Sequence, residues 1–207
     1  TYHWGHLNTI KAFDYLSEQK LINFKAAKDF VLYGASAGAL GSFIHGKMIA
    51  ELLSENVTKT LIADSPGLHY GKTFWQKFPE RFLADVKNAF VKLGLEYDEN
   101  DGNVAQYLGK VCKNFPDWNI GIMQGSRDIV MSWMFGEITQ DDHENLVYGK
   151  TGVWEATSKS QNCSVWLPRS AHHAFLIFAH SAVMESGGKK GMDFVRDIIS
   201  GKQNINY

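Results

Sequence analysis

Ser36 stands in Gly34-Ala35-Ser36-Ala37-Gly38, between an apolar run ending at Tyr33 and a stretch of small residues that leads into Met48, Leu52 and Leu53. A serine is a weak nucleophile until a base takes its proton, so the string matters less than its setting. The setting is strand, tight turn, helix, where a nucleophile elbow lifts a hydroxyl clear of a sheet. Such a turn needs small neighbours, and Gly34 and Gly38 supply them on either side. The helix start would offer backbone N–H groups and a positive dipole end to a developing oxyanion, with the Ala37 N–H as first donor. Two other readings use the same residues. In a dinucleotide fingerprint Gly34, Ser36 and Ala39 take the glycine positions and Asp64 is the ribose acid, but the Ser36 side chain would crowd the pyrophosphate. In the plainest reading the glycines only let a helix pack close to a strand.

An activated serine needs a histidine held by an acid. Of the eight histidines, His3, His6 and His45 fall in or beside expected helices, and His180 lies in an apolar helical segment. His143, in Asp141-Asp142-His143-Glu144, reads as part of a solvated acidic loop, and His69, after Asp64-Ser65-Pro66-Gly67, could face the site. His172 and His173 follow the last expected strand, where the chain order serine, acid, histidine puts the base of a hydrolase. Neighbours in an extended loop point opposite ways, so one of the two faces the serine. The expected base is His172, because His173 opens Ala174-Phe175-Leu176-Ile177-Phe178 and should turn toward packing. Asp128, in Gln124-Gly125-Ser126-Arg127-Asp128 after a strand, is the expected acid, with Asp64 as fallback. A triad of Ser36, Asp128 and His172 needs no metal and no organic cofactor.

The fold must bring these residues together. Four short runs, Phe30–Tyr33, Thr60–Ala63, Ile120–Met123 and Ser164–Leu167, are apolar without alternation. They suit a parallel sheet covered on both faces. Helices are expected at Leu7–Leu21, at Gly38–Leu53, and after Pro79 along Phe82, Leu83, Val86, Phe90 and Leu93. Two more are expected at His173–Glu185 and Met192–Ser200. The alternation predicts one α/β domain over residues 1–207, with the insert 67–116 as a helical cap. Hydrophobic residues make up 44% and aromatic ones 13%, which excludes disorder. The longest apolar run, Ala174–Ala179, has six residues, too few for a transmembrane helix. A formal charge of −1 and no basic run beyond pairs such as Lys189-Lys190 leave no footprint for nucleic acid. Cys112 and Cys163 form either one bridge or two buried thiols.

In order, Tyr2-His3-Trp4-Gly5, Val31-Leu32-Tyr33-Gly34-Ala35-Ser36-Ala37-Gly38-Ala39-Leu40, Ile44-His45-Gly46, Leu61-Ile62-Ala63-Asp64-Ser65 and Ser170-Ala171-His172 resemble the pectin acetylesterase and Notum carboxylesterase family. Its nucleophile motif runs G-x-S-A-G-G, followed by a strand ending in A-D-S/A-G; here Ala39 replaces the last glycine of the first and Pro66 that of the second. The resemblance implies an α/β-hydrolase fold, an extracellular or periplasmic location, and a serine esterase removing O-acyl groups. Acetyl on a polysaccharide or glycoconjugate is the expected substrate, so the partner is an acylated carbohydrate or a lipidated molecule. A serine peptidase or acyltransferase, or a binding module that keeps the fold without catalysis, are the alternatives. In such a fold the Gly-rich loop giving a second oxyanion donor precedes the elbow, and more strands precede it too. Residues 1–28 contain neither, so the chain is expected to be the C-terminal part of a longer domain with one sheet edge open.

Overall fold

Each of the four apolar runs is a strand in the computed structural model, which describes residues 5–207; the parts of the reading that touch Tyr2, His3 and Trp4 lie outside it. Strands β1 (Asp29–Ala35), β2 (Thr58–Asp64), β3 (Trp118–Met123) and β4 (Cys163–Trp166) form one parallel sheet in the order β1-β2-β3-β4. Helices α1 (Gly5–Glu18), α2 (Ala37–Leu52), α3 (Glu80–Lys92), α4 (Leu108–Lys113), α5 (Gln140–Val147), α6 (Val153–Ser158) and α7 (Gly191–Ile199) complete a mixed α/β architecture. Because every crossover returns to the same sheet end, the residues just past β1, β2, β3 and β4 all lie along its carboxyl edge.

Strand pleating sends alternate residues to opposite faces. Leu61, Ala63, Ile120, Ile122 and Val165 pack with Phe43 of α2, Val111 of α4 and Val153 of α6. Ile62, Met123 and Trp166 face the other way, against Phe194, Val195 and Ile198 of α7. Gly121 permits that second layer, since a Cβ there would press on Ile198 at 3.0 Å and Ile62 at 3.1 Å. Both layers are apolar, so the strands show no alternation in sequence.

The two sheet edges differ. The C-terminal tail covers β4: Tyr207 N–H donates to the Val165 carbonyl at 3.0 Å and Leu167 N–H to the Tyr207 carbonyl at 2.7 Å. At the other edge Val31 and Tyr33 of β1 are 45% and 44% exposed, and among the described residues no strand pairs with its outer side. Cys112 of α4 and Cys163 of β4 are joined in a buried disulfide across a separation of 51 residues. A loop of that length corresponds to about 4 kcal/mol of stabilisation in the chain-entropy treatment.

One expectation about the elements needs correction. The segment His173–Glu185 is not a helix: Ala174 has φ 63°, which no right-handed helix accommodates, and only a short 3-10 turn forms at Ser181–Val183. A two-residue hairpin follows, β5 (Glu185–Ser186) to β6 (Lys189–Lys190), made by Gly187 and Gly188 at φ 55° and 74°. No expectation covered α5 and α6, although Thr139 and Asp142 form a reciprocal capping box at the start of α5. Pro79 is the N-cap of α3, and the helix expected after it begins at Glu80. The insert 67–116 carries α3 and α4 and divides its packing. Tyr70, Phe74 and Trp75 cluster with Met131 from the turn after Asp128, whereas Leu68, Leu93 and Leu108 join the main core.

Candidate active site

Ser36 has φ 56° and ψ −125°, a strained conformation for any side chain larger than glycine. Its N–H donates to the Asp64 carbonyl of β2 at 2.8 Å, so the main chain pins the turn to the sheet. Gly34 is obligatory for this geometry, because a Cβ on it would lie 2.2 Å from the Gly38 carbonyl oxygen. Gly38 is not: its Cβ position is open space, which corrects the expectation that both glycines are needed. Ala37 is the first residue of α2, and its N–H is one of the four that a helix start leaves without an intrahelical acceptor.

The Asp128 carboxylate is fully buried and held on all sides. Oδ1 accepts the N–H groups of Val130 and Met131 at 2.9 and 3.0 Å, and Oδ2 accepts Gln124 Nε2–H at 3.0 Å. The remaining bond comes from His173, whose Nδ1–H donates to Oδ2 at 2.7 Å. An ionised carboxylate only accepts, so Nδ1 carries the proton of this bond, and in the neutral ring Nε2 is then the acceptor. That Nε2 is buried and makes no hydrogen bond. The expected partner, His172, turns away: its Nδ1 meets Ser170 Oγ at 3.1 Å and its ring lies against His180 and Phe175. The physical reason is the missing helix, since His173 is still in the loop and the tight turn at Ala174 directs it at Asp128. The turn after Asp128 is π-helical, Val130–Met134, a rare form that occurs frequently at functional sites.

The remaining candidates take supporting places. Asp64 is fully buried and hydrogen-bonds the N–H groups of Phe175 and Leu176, not an imidazole. Burial pushes its pKa up, against the pull of those bonds. His143 is not in a solvated loop: it is buried on α5, and its Nδ1–H donates to the Ser126 carbonyl at 2.8 Å. His69 is buried beside it, rings 5.6 Å apart and nearly perpendicular, with Nδ1–H donating to Asn103 Oδ1 at 3.0 Å. Burial pushes His69 down to about 3 and lowers His143 as well. Outside them, Arg127 pairs with Asp141 and Glu144, and Arg169 with Glu144. These contacts fasten α5 to the turn bearing Asp128. Sequence reading missed Gln124, which a polar residue directly after the apolar run Ile120–Met123 could have signalled. His6 and His45 stack on each other, with ring centroids 5.1 Å apart.

A cavity of about 260 Å³ lies between α2 and the insert, lined entirely by aliphatic and aromatic side chains. Leu40, one helical turn beyond Ser36, forms part of its wall, as does Tyr70, whose hydroxyl reaches Met131 Sδ in the turn after Asp128. Phe82, Val86 and Phe90 of α3 close the far side. Among the described residues no group of three or more His, Cys, Asp or Glu side chains converges as a metal site, and no helix is long and apolar enough to cross a membrane.

No protein-family model and no curated protein matches the sequence. Among solved structures an esterase of Pyrococcus furiosus is similar over 69% of this chain and 45% of its own, with 18% identity and a TM-score of 0.30. The chain therefore spans less than half the length of that protein, and a likeness so remote has no weight in assigning activity.

Proposed function

We propose that this chain is a serine carboxylic-ester hydrolase with Ser36 as nucleophile, His173 as base and Asp128 as the acid that holds it. The observation that carries the reading is the buried Asp128–His173 bond of 2.7 Å, which leaves Nε2 without a hydrogen-bond partner on the sheet edge that also bears the strained Ser36. Ser36 Oγ bonds to the ester carbonyl carbon as its proton passes to His173 Nε2, and the Ala37 N–H receives the oxyanion. The tetrahedral intermediate collapses, the C–O bond to the alcohol breaks, and the alcohol leaves with the proton. A water then repeats the sequence on the acyl-enzyme, releasing the carboxylic acid and Ser36. The resemblance to pectin acetylesterases supports O-acyl groups on a carbohydrate, and the disulfide supports an oxidising compartment such as the extracellular space or periplasm. The apolar cavity favours a second reading of the acyl group, one with a hydrocarbon chain longer than acetyl.

A fluorophosphonate probe tests the chemistry: it should add covalently to Ser36 and fail to add in Ser36→Ala. No capture by the wild-type protein would remove the esterase reading in favour of a non-catalytic module. A series of p-nitrophenyl esters from acetyl to octanoyl tests the acyl group. Burial of each methylene is worth about 0.8 kcal/mol, roughly fourfold in kcat/KM until the cavity is full. A profile that falls from acetyl onward assigns acetyl.

A further inference from the structure

Three successive N–H groups directly after His173 are captured by two side chains at the end of β2. Ala174 N–H donates to Ser65 Oγ at 2.8 Å, Phe175 N–H to Asp64 Oδ1 at 2.9 Å and Leu176 N–H to Asp64 Oδ2 at 2.8 Å. Ser65 O–H returns a bond to Asp64 Oδ1 at 3.2 Å, and Tyr33 O–H reaches Oδ2 at 3.3 Å. Consecutive backbone N–H groups converging on one anion form a nest. The same Asp64 accepts the Ser36 N–H through its carbonyl. One residue therefore touches the nucleophile turn with its main chain and the base loop with its side chain. Ser65 and Ala174, which meet in this contact, both have positive φ, at 53° and 63°. Strain of that kind persists only where surrounding contacts over-determine it.

We propose that Asp64, with Ser65, is a positioning residue whose carboxylate fixes the loop after His173 and keeps the imidazole aligned between Asp128 and Ser36. This rests on the serine-esterase reading above. Asp64→Asn keeps one acceptor but turns an NH2 group against a backbone N–H, and Ser65→Ala removes the acceptor for Ala174.

Each variant is compared with the wild-type protein by circular dichroism, by kcat and KM on a soluble ester, and by the downfield proton resonance of the His173 Nδ1–H bonded to Asp128. Misplacement of a reacting group by about 1 Å costs on the order of 100-fold, so kcat in Asp64→Asn should fall by about that factor with KM unchanged. Ser65→Ala should lose less, and the downfield resonance should shift or broaden in both while the fold persists. Folded variants with wild-type kcat and resonance overturn the proposal. So does a fall in kcat with the resonance unmoved, which marks a merely structural role. If Asp64→Asn does not fold, Ser65→Ala decides by the same readouts. If the wild-type protein neither hydrolyses esters nor reacts with the probe, the esterase reading fails, and the resonance still reports whether Asp64 and Ser65 hold the loop.

Discussion

Of two adjacent histidines one bonds the buried Asp128 carboxylate and the other does not, and that hydrogen bond is what makes His173 the base in the proposed mechanism. His173 is 13% exposed at its side chain and donates to a carboxylate that has no exposure at all, while His172 bonds a serine two residues back. Low dielectric strengthens the buried pair, and the carboxylate's other donors leave Oδ2 aimed at the imidazole. His173→Ala should therefore lower ester turnover by about 10⁴-fold, and His172→Ala should leave most of it. Steady-state hydrolysis by the two folded variants checks this; the reverse pattern returns the base to His172. The residue types were readable here, but their order was not. Which neighbour faces the acid depends on the φ of Ala174, and an alanine carries no sign of the left-handed conformation forced on it by Asp64 and Ser65.

At the scale of elements, the elbow between β1 and α2 places the serine. Its two glycines look equivalent in sequence and are not equivalent in space. A side chain on Gly34 would collide with the carbonyl of Gly38, whereas one on Gly38 would enter open space in the first turn of α2. Gly34→Ala should therefore cost about 1–3 kcal/mol or more by overpacking. Gly38→Ala should gain up to about 1 kcal/mol, as alanine replaces glycine within a helix. Urea unfolding midpoints of the two variants test the contrast, and equal losses would mean that both glycines are steric requirements.

Across the whole molecule, buried ionisable groups couple stability to pH. His69 titrates near 6.5 when unfolded and is pushed down to about 3 in the fold by burial and by His143; His143 is lowered by its own burial. Between those values the unfolded chain binds more protons than the folded one, so stability rises with pH and is lost on acidification. Asp64 works the other way, because its raised pKa lets the fold hold a proton longer. Two histidines against one acid leave a net loss as pH falls from 7 toward 4, with a slope of at most about 1.4 kcal/mol per pH unit for each histidine. Urea midpoints across that range should fall, and less steeply in His69→Gln; a flat wild-type curve would contradict the assignment.

The sheet and the serine were legible in the sequence because both depend on local pattern. Short apolar runs with no alternation become strands buried on two faces, and Gly34-Ala35-Ser36 between a strand and a helix leaves few alternatives to a tight turn. Asp128 was legible for the same reason, as an acid in the loop that follows a strand. Only the tertiary structure decided that His173 and not His172 meets it, that Asp64 bonds the backbone of Phe175 and Leu176 and not an imidazole, that His143 is buried, and that the two cysteines are joined. Each of these is a contact between segments that are 30 or more residues apart, or 17 in the case of His143. No spacing rule encodes such contacts, because they depend on how the crossovers stack the carboxyl ends of β1, β2, β3 and β4 side by side.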